Sequence, residues 1–299
     1  MGTHLGFLSG PAASLVHLHC AVPDEHPSAA ILGTERSGTG VIVEEGGYIL
    51  TVGYVVMGAS ELSAGSAGGE TCDARIVHVD FESGLAVVRA EELADPPVEM
   101  KPAADLELAT PVVLLASNGE DQFRGSEGFV SDLGPFDAHW EHMLESAIKA
   151  TAVNPGLGGG ALITLDGVVR GIVSLNLHLI GTCSLSIPID LFLAQRDVFL
   201  GRKRADNHVH RPWLGVYSQP LEKGVLVAGV APGGPAENSG IVAGDIVLYI
   251  NGEEVSSRRA FYEKLWEGRA GDIITLTIYR EKRFRTVHVA SRSRADFYK

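Results

Sequence analysis

The sequence predicts a mainly β protein built in two parts, and three observations carry that prediction. Glycine occurs at 36 of 299 positions, and short valine- and isoleucine-rich runs lie between the glycines, the pattern of strands and turns. Hydrophobic residues make up 45% and charged residues 20%, which excludes a disordered chain. A polar stretch, Arg202-Lys203-Arg204-Ala205-Asp206-Asn207, interrupts a chain long enough to fill two cores.

The elements follow in order. His17 and His19 lie on a first strand, sharing one face, with Cys20 on the other. Gly40–Val43 and Tyr48–Thr51 flank Glu44-Glu45-Gly46-Gly47 as a hairpin. Ala74–Val79 and Leu85–Arg89 form the next pair, followed by Val112–Ala116, Gly128–Ser131, Ala161–Thr164 and Val168–Leu175. Leu165-Asp166-Gly167 supplies a tight turn between the last two. Strands at this spacing predict a closed or sandwiched β architecture. Ser186–Asp190 opens a final stretch, and Leu191–Leu200 has helical character. Beyond the break, Val225–Val230, Ile246–Ile250, Ile273–Tyr279 and Phe284–Val289 read as strands. Pro232–Gly240 reads as a turn entering a short helix, and Arg258–Glu267 as a helix with Phe261 and Leu265 on one face.

Composition narrows the function. Residues 1–211 hold 12 Lys and Arg against 27 Asp and Glu, a net −15, whereas residues 212–299 carry a net +2. An acidic first part repels nucleic acid and anionic membranes. The basic residues Arg280–Arg285 read as a solvated strand end. Gly171–Ile189 is free of formal charge but contains Ser174, Asn176, Gly181, Thr182, Ser184 and Pro188, so buried strands explain it better than a membrane span. The first residues lack a basic start followed by a clean apolar run, so no signal peptide is read there. Cys20, Cys72 and Cys183 show no C-x-x-C spacing and read as small buried hydrophobes. His17 with His19, His139 with His142 (together if that stretch is helical) and His208 with His210 each supply half a metal site at best, so no metal and no other cofactor is expected.

Four motifs in sequence order carry chemistry. Ser37-Gly38-Thr39-Gly40-Val41-Ile42-Val43 leads into Gly47-Tyr48-Ile49-Leu50-Thr51-Val52-Gly53-Tyr54-Val55-Val56. Asp80-Phe81-Glu82-Ser83-Gly84-Leu85-Ala86-Val87 and Asn154-Pro155-Gly156-Leu157-Gly158-Gly159-Gly160-Ala161 follow. Together they resemble the trypsin-like domain of HtrA/DegP-type serine proteases, whose patterns are Gly-Tyr-Ile-Leu-Thr-Asn-x-His-Val-Val, Asp-x-x-x-Asp-Leu-Ala-Val and Asn-Pro-Gly-Asn-Ser-Gly-Gly. Pro212-Trp213-Leu214-Gly215-Val216 resembles the carboxylate-binding loop of that family's PDZ domain, and Gly224–Val227 with Pro235–Gly252 resembles its core. The resemblance spans residues 14–290. It implies a trypsin-like double β-barrel over residues 1–204, a linker over 205–211 and a PDZ domain over 212–292.

On this resemblance Tyr54 falls on the catalytic histidine, Gly84 on the aspartate and Gly158 on the serine. A serine attacks, a histidine moves its proton and an aspartate orients the histidine. Glycine has no attacking atom, and a phenol with a pKa of about 10 is a poor base near neutrality. The expectation is therefore a chain that is not an enzyme, an inactive pseudoprotease acting as a peptide-binding scaffold or chaperone-like regulator. Two alternatives stay open: a hydrolase using relocated groups, with Ser83, His78 and Asp80 as candidates, and a metal-binding degenerate domain. The amides of Gly156 and Gly158 are candidate oxyanion donors, against a plain glycine-rich turn. In the PDZ half the amides of Leu214, Gly215 and Val216 are expected to meet a C-terminal carboxylate. The peptide would add as a strand beside Val216, Tyr217 and Ser218, facing Phe261 and Leu265, with Trp213 lining the pocket or filling an interface. Expected partners are C-terminal peptides or unfolded proteins. Active relatives imply a homo-oligomer, a trimer by resemblance, and an extracytoplasmic location.

Overall fold

The computed structural model describes residues 6–66, 68–119, 123–155, 158–177, 183–204 and 210–299. The chain forms two compact units. The first comprises Met1–Pro135 and Glu145–Ala205, and the second Phe136–Leu144 and Asp206–Lys299. The expected boundary segment 205–211 falls largely outside the described residues.

In the first unit, seven strands form one sheet. They are β1 (Leu15–Ala21), β2 (Glu35–Glu44), β3 (Tyr48–Val52), β4 (Glu61–Gly65), β5 (Thr71–Asp73), β6 (Arg75–Val79) and β7 (Leu85–Arg89), in the order β5-β4-β1-β2-β3-β7-β6. Period-two burial fixes the register: Leu18 and Cys20 are buried on β1 while His19 between them is exposed. The β2–β3 turn needs glycine, since Gly47 has φ 74 and a Cβ there would lie 1.8 Å from the Ala90 carbonyl oxygen. Six more strands close a barrel: β8 (Pro111–Ser117), β9 (Phe123–Ala138), β10 (His142–Ala150), β11 (Ala161–Thr164), β12 (Val169–Leu177) and β13 (Cys183–Pro188). Its interior includes Val112, Leu114, Val130, Ile148, Leu162 and Val173. The Thr164 hydroxyl donates to Asp166 at 2.7 Å and pins the β11–β12 turn.

Several elements differ from the sequence reading. The strand expected at Gly128–Ser131 runs from Phe123 to Ala138, and β10 was not anticipated at all. Polar and small residues alternate along β9 with little hydrophobic signal, because much of it is exposed. His139 and His142 therefore sit at a β hairpin and not on a helix, with the Trp140 ring between theirs. The helix expected over Leu191–Leu200 is two short turns, Asp190–Ala194 and Arg196–Phe199.

The second unit is built on β14 (Pro212–Trp213), β15 (Val216–Pro220), β16 (Val225–Val230), β17 (Ile246–Ile250), β18 (Glu253–Glu254), β19 (Ile273–Arg280), β20 (Arg283–Ala290) and β21 (Arg292–Ser293). The main sheet runs β15-β16-β17-β19-β20, β18 pairs with β17, and β14 pairs with β21. Helix Arg258–Leu265 is capped by Ser257, whose hydroxyl accepts from the Ala260 amide at 3.0 Å. Its Phe261, Tyr262 and Leu265 pack against Leu214, Val216, Val227, Val247 and Ile250.

One ion pair holds this unit's turn to its sheet. Asp245 is fully buried, and Arg280 donates to its two oxygens at 2.5 and 2.6 Å, while the Val242 amide donates at 3.0 Å. Removing the arginine strands a buried carboxylate, the costly way to break a pair. Arg280→Ala is expected to destabilise the unit by about 3 kcal/mol, checked by urea unfolding of the full chain, with Lys299→Ala as a control that changes little because Lys299 is exposed.

Candidate functional sites

The three residues singled out in the first unit come together. Tyr54 lies on the single helical turn Gly53–Val56 that follows β3. The Gly53 amide donates to the Gly84 carbonyl at 2.8 Å, which fixes Gly84 beside that turn. Asp80 builds the loop leading to Gly84: its carboxylate accepts from the Glu82 and Ser83 amides at 3.0 and 3.1 Å, and Gly84 takes φ 79. Gly158 carries no side chain, and a Cβ there would sit 1.8 Å from the Tyr54 hydroxyl oxygen. The phenol occupies the space a side chain at 158 would need. The Tyr54 hydroxyl donates to the Ser174 carbonyl at 2.8 Å, and burial pushes its pKa above the ordinary tyrosine value, so it is held as a protonated donor.

Other candidates are placed differently. Gly156 lies outside the described residues, so the paired-amide site it would form with Gly158 is not described. The Ser83 hydroxyl accepts from the Leu85 amide at 3.2 Å, and the His78 ring meets Phe199 edge-on at 5.2 Å, so each is engaged elsewhere. His19 pairs with Glu35 at 3.2 Å, and among the described residues no three metal-ligating side chains converge.

The second site is in the second unit. Gly215 has φ 80, which bends the chain so that flanking amides point to one side. A carboxylate already sits there. The Leu214 amide donates to Glu141 Oε2 at 2.9 Å and the Val216 amide to Oε1 at 2.6 Å. Glu141 belongs to Phe136–Leu144, the hairpin tip where β9 turns into β10. This tip runs beside β15: the Ser218 amide donates to the His139 carbonyl at 2.7 Å. Tyr262 donates to the Ala138 carbonyl at 2.6 Å and accepts from the Glu141 amide at 3.0 Å. Arg258 grips Asp137, with Nε to Oδ2 at 2.6 Å and Nη2 to the carbonyl at 2.6 Å. Met143, buried, joins the core around Leu214 and Phe261.

Sequence reasoning named Leu214, Gly215 and Val216 but missed Glu141, Asp137, Arg258 and Tyr262. Phe261 and Leu265 are fully buried in the core, and Tyr262 presents the polar group to the strand position. Trp213 packs against Phe297 and Tyr298 with tilted rings, centroids at 4.6 and 5.7 Å. Tyr217 is half-buried, its ring 6.2 Å from that of His139. Burial raises the Glu141 carboxyl to about 7, against donation from the Val216 and Leu214 amides, the Arg294 charge and the Gly215 amide, which all lower it.

Comparison with known proteins fits this architecture. A trypsin-like peptidase domain model matches residues 38–172, and a PDZ domain model matches residues 212–290. A probable periplasmic serine endoprotease, DegP-like, of Halomonas elongata is 30% identical over 270 residues, covering 84% of this chain and 55% of the relative. A DegP-like relative from Hahella chejuensis is 32% identical, covering 74% of this chain and 49% of the relative. The chain spans about half the length of these relatives. The serine endoprotease DegS of Haemophilus influenzae is 29% identical, covering 83% of this chain and 75% of the relative. Among solved structures, the HtrA-type protease AlgW with decapeptide superimposes with a TM-score of 0.57 at 23% identity, covering 98% of this chain and 99% of that one. These relatives overturn the expectation of a chain that is not an enzyme: they are named serine endoproteases, and the kinship points to a protease. The three positions themselves carry one phenol and two glycines.

Two outcomes test these sites. Gly158→Ser is expected to destabilise the first unit by about 1–3 kcal/mol through the clash with Tyr54. In a Tyr54→Ala background that cost should shrink by at least about 1 kcal/mol, a coupling read by calorimetry as a double-mutant cycle. For Glu141, the ordinary carboxyl value of 4.5 rises to about 7 on docking, so the docked tip binds a proton more tightly than the released one. Docking is therefore fully favoured below 4.5 and weakens as pH rises through about 7. The charged and titratable groups around it are Arg294, Tyr217, Tyr262 and Tyr298, and burial holds the three phenols above the ordinary tyrosine value. Hydrogen exchange of the tip amides, corrected for intrinsic rates, should show opening up to about a hundredfold more frequent at pH 8 than at pH 5. Glu141→Gln should remove that dependence.

Proposed function

We propose that this chain, of the HtrA/DegP type with a trypsin-like serine-protease domain followed by a PDZ domain, acts on polypeptides that it recognises through their C-termini. The observation that carries the reading is the carboxylate held between the Leu214 and Val216 amides. A site that holds one carboxylate on two converging backbone donors has the geometry for another, and those donors offset part of the desolvation that raises the Glu141 carboxyl. Beside it, β15 offers the Ser218 amide to an added strand, the second half of peptide recognition by strand addition. Trp213, packed against Phe297 and Tyr298, supports the loop from behind rather than meeting peptide. The loop residues Leu214, Gly215 and Val216, with Tyr217 and Ser218 along the strand, make the binding edge. Phe261 and Leu265 hold its helix in place.

The structurally similar HtrA-type protease AlgW, solved with a decapeptide and with a tripeptide, supports the same reading, as do the DegP-like periplasmic relatives for an extracytoplasmic location. Protease character is read separately, as casein turnover by the purified chain.

Carboxylate recognition is testable by fluorescence titration with one apolar peptide in two forms. The free acid should bind at least about tenfold tighter than its C-terminal amide, since a charge-assisted pair of hydrogen bonds is worth about 1.5–3 kcal/mol. Gly215→Glu should erase the preference, because it places a like charge at the loop. Equal binding of acid and amide would rule out the carboxylate loop.

A further inference from the structure

The groove just proposed is already full, and its occupant has the form of its ligand. Glu141 supplies a carboxylate to the Leu214 and Val216 amides, where a chain terminus would place its own. Two residues earlier, the His139 carbonyl takes the Ser218 amide, as the third-last residue of an added strand would. Two residues earlier again, Asp137 meets Arg258 through both its carboxylate and its carbonyl. The backbone at Glu141 takes φ 54, a conformation seldom used by glutamate, which turns the chain away just where a ligand would end. Glu141 is buried and its carboxyl is raised by desolvation, so it sits in the loop at a cost that release would recover.

Resting on that reading, we infer that Asp137–Glu141 is a resident pseudo-ligand. C-terminal peptides enter only by displacing it, and those with an acidic residue four positions before their last residue, where Asp137 meets Arg258, displace it best. The segment is thus both a competitor and a template of the groove's preference. Because it is tethered, it competes at the high effective concentration of an intramolecular partner, on the order of millimolar, and external ligands must exceed that or find the tip open.

The test uses the full chain and the fluorescein-labelled hexapeptide Phe-Asp-Ala-His-Trp-Leu with a free C-terminal carboxylate. Glu141→Gln keeps the size of the side chain but puts an amide against the loop donors. It is expected to bind the hexapeptide at least tenfold tighter than the unaltered protein. Phe-Ala-Ala-His-Trp-Leu should bind Glu141→Gln at least threefold more weakly, a difference that Arg258→Gln should abolish. In the unaltered protein, saturating hexapeptide should speed hydrogen exchange of the amides of residues 136–144 at least tenfold, a readout that needs no variant to fold. Equal and tight binding by the unaltered protein and Glu141→Gln, or unchanged exchange at the tip under saturation, overturns self-occupation while leaving the carboxylate loop standing. Weaker binding by Glu141→Gln also overturns it, since Glu141 would then assist. Absence of binding by either protein at millimolar peptide defeats the underlying reading itself.

Discussion

A single carboxylate anchors the tip Phe136–Leu144 within the PDZ half of the molecule. Glu141 is almost fully buried, and a buried carboxylate persists only where donors replace its water. Here the Val216 and Leu214 amides do so, and both belong to the loop that Gly215 bends with φ 80. The other contacts of the tip follow from that anchor. With Glu141 in the loop, His139 falls opposite Ser218, Ala138 opposite the Tyr262 hydroxyl and Asp137 opposite Arg258. The balance is a close one. Desolvation outweighs the donors enough to raise the Glu141 carboxyl, so the anchor is fixed by the geometry of the two amides.

The barrel half turns on a different constraint, volume. Tyr54 and Gly158 are permitted only as a pair: the phenol fits because position 158 has no Cβ, and the glycine leaves no void because the phenol is there. The hydroxyl then finds the Ser174 carbonyl, which satisfies the one polar atom the ring carries into the interior. Gly84 belongs to the same arrangement for a backbone reason. Its φ of 79 and its carbonyl bond to the Gly53 amide set the turn that carries Tyr54.

What was legible in the sequence was what short-range patterning encodes. The β2–β3 hairpin showed in Glu44-Glu45-Gly46-Gly47, the β11–β12 turn in Asp166-Gly167, and the second unit's strands in their valine and isoleucine runs. The meeting of Tyr54, Gly84 and Gly158 was legible too, but through ordered family motifs and not through periodicity. The reading failed where structure depends on long-range partners. The β9–β10 hairpin carries weak hydrophobic alternation because its outer part is exposed, so His139 and His142 read equally well as helical neighbours. Glu141 gave no signal at all. A glutamate in a polar segment reads as solvated, and only the fold brings it to amides 73 and 75 residues away. Sequence also named Phe261 and Leu265 by helical spacing, which finds the buried face. Tyr262, one residue on, was missed because its role depends on a hydroxyl rather than on hydrophobicity.

A groove that holds part of its own chain differs from an empty one in what it selects. An open groove ranks ligands by contact alone. A self-occupied groove ranks them by contact in excess of the resident segment, so weak general binders are rejected and the apparent affinity of every ligand falls by the fraction of time the groove is open. Specificity then arises without any added contact to the correct ligand, since the resident segment penalises all ligands alike while only those matching its anchors recover the loss. The arrangement also explains why the anchor is a side-chain carboxylate and not a tighter apolar plug. A carboxylate uses the same two amides that a terminus needs, so the two cannot bind together, and exclusion is enforced by shared donors. Burial of Met143 beside the same loop adds an apolar contribution that disengages with it if the tip leaves as one piece.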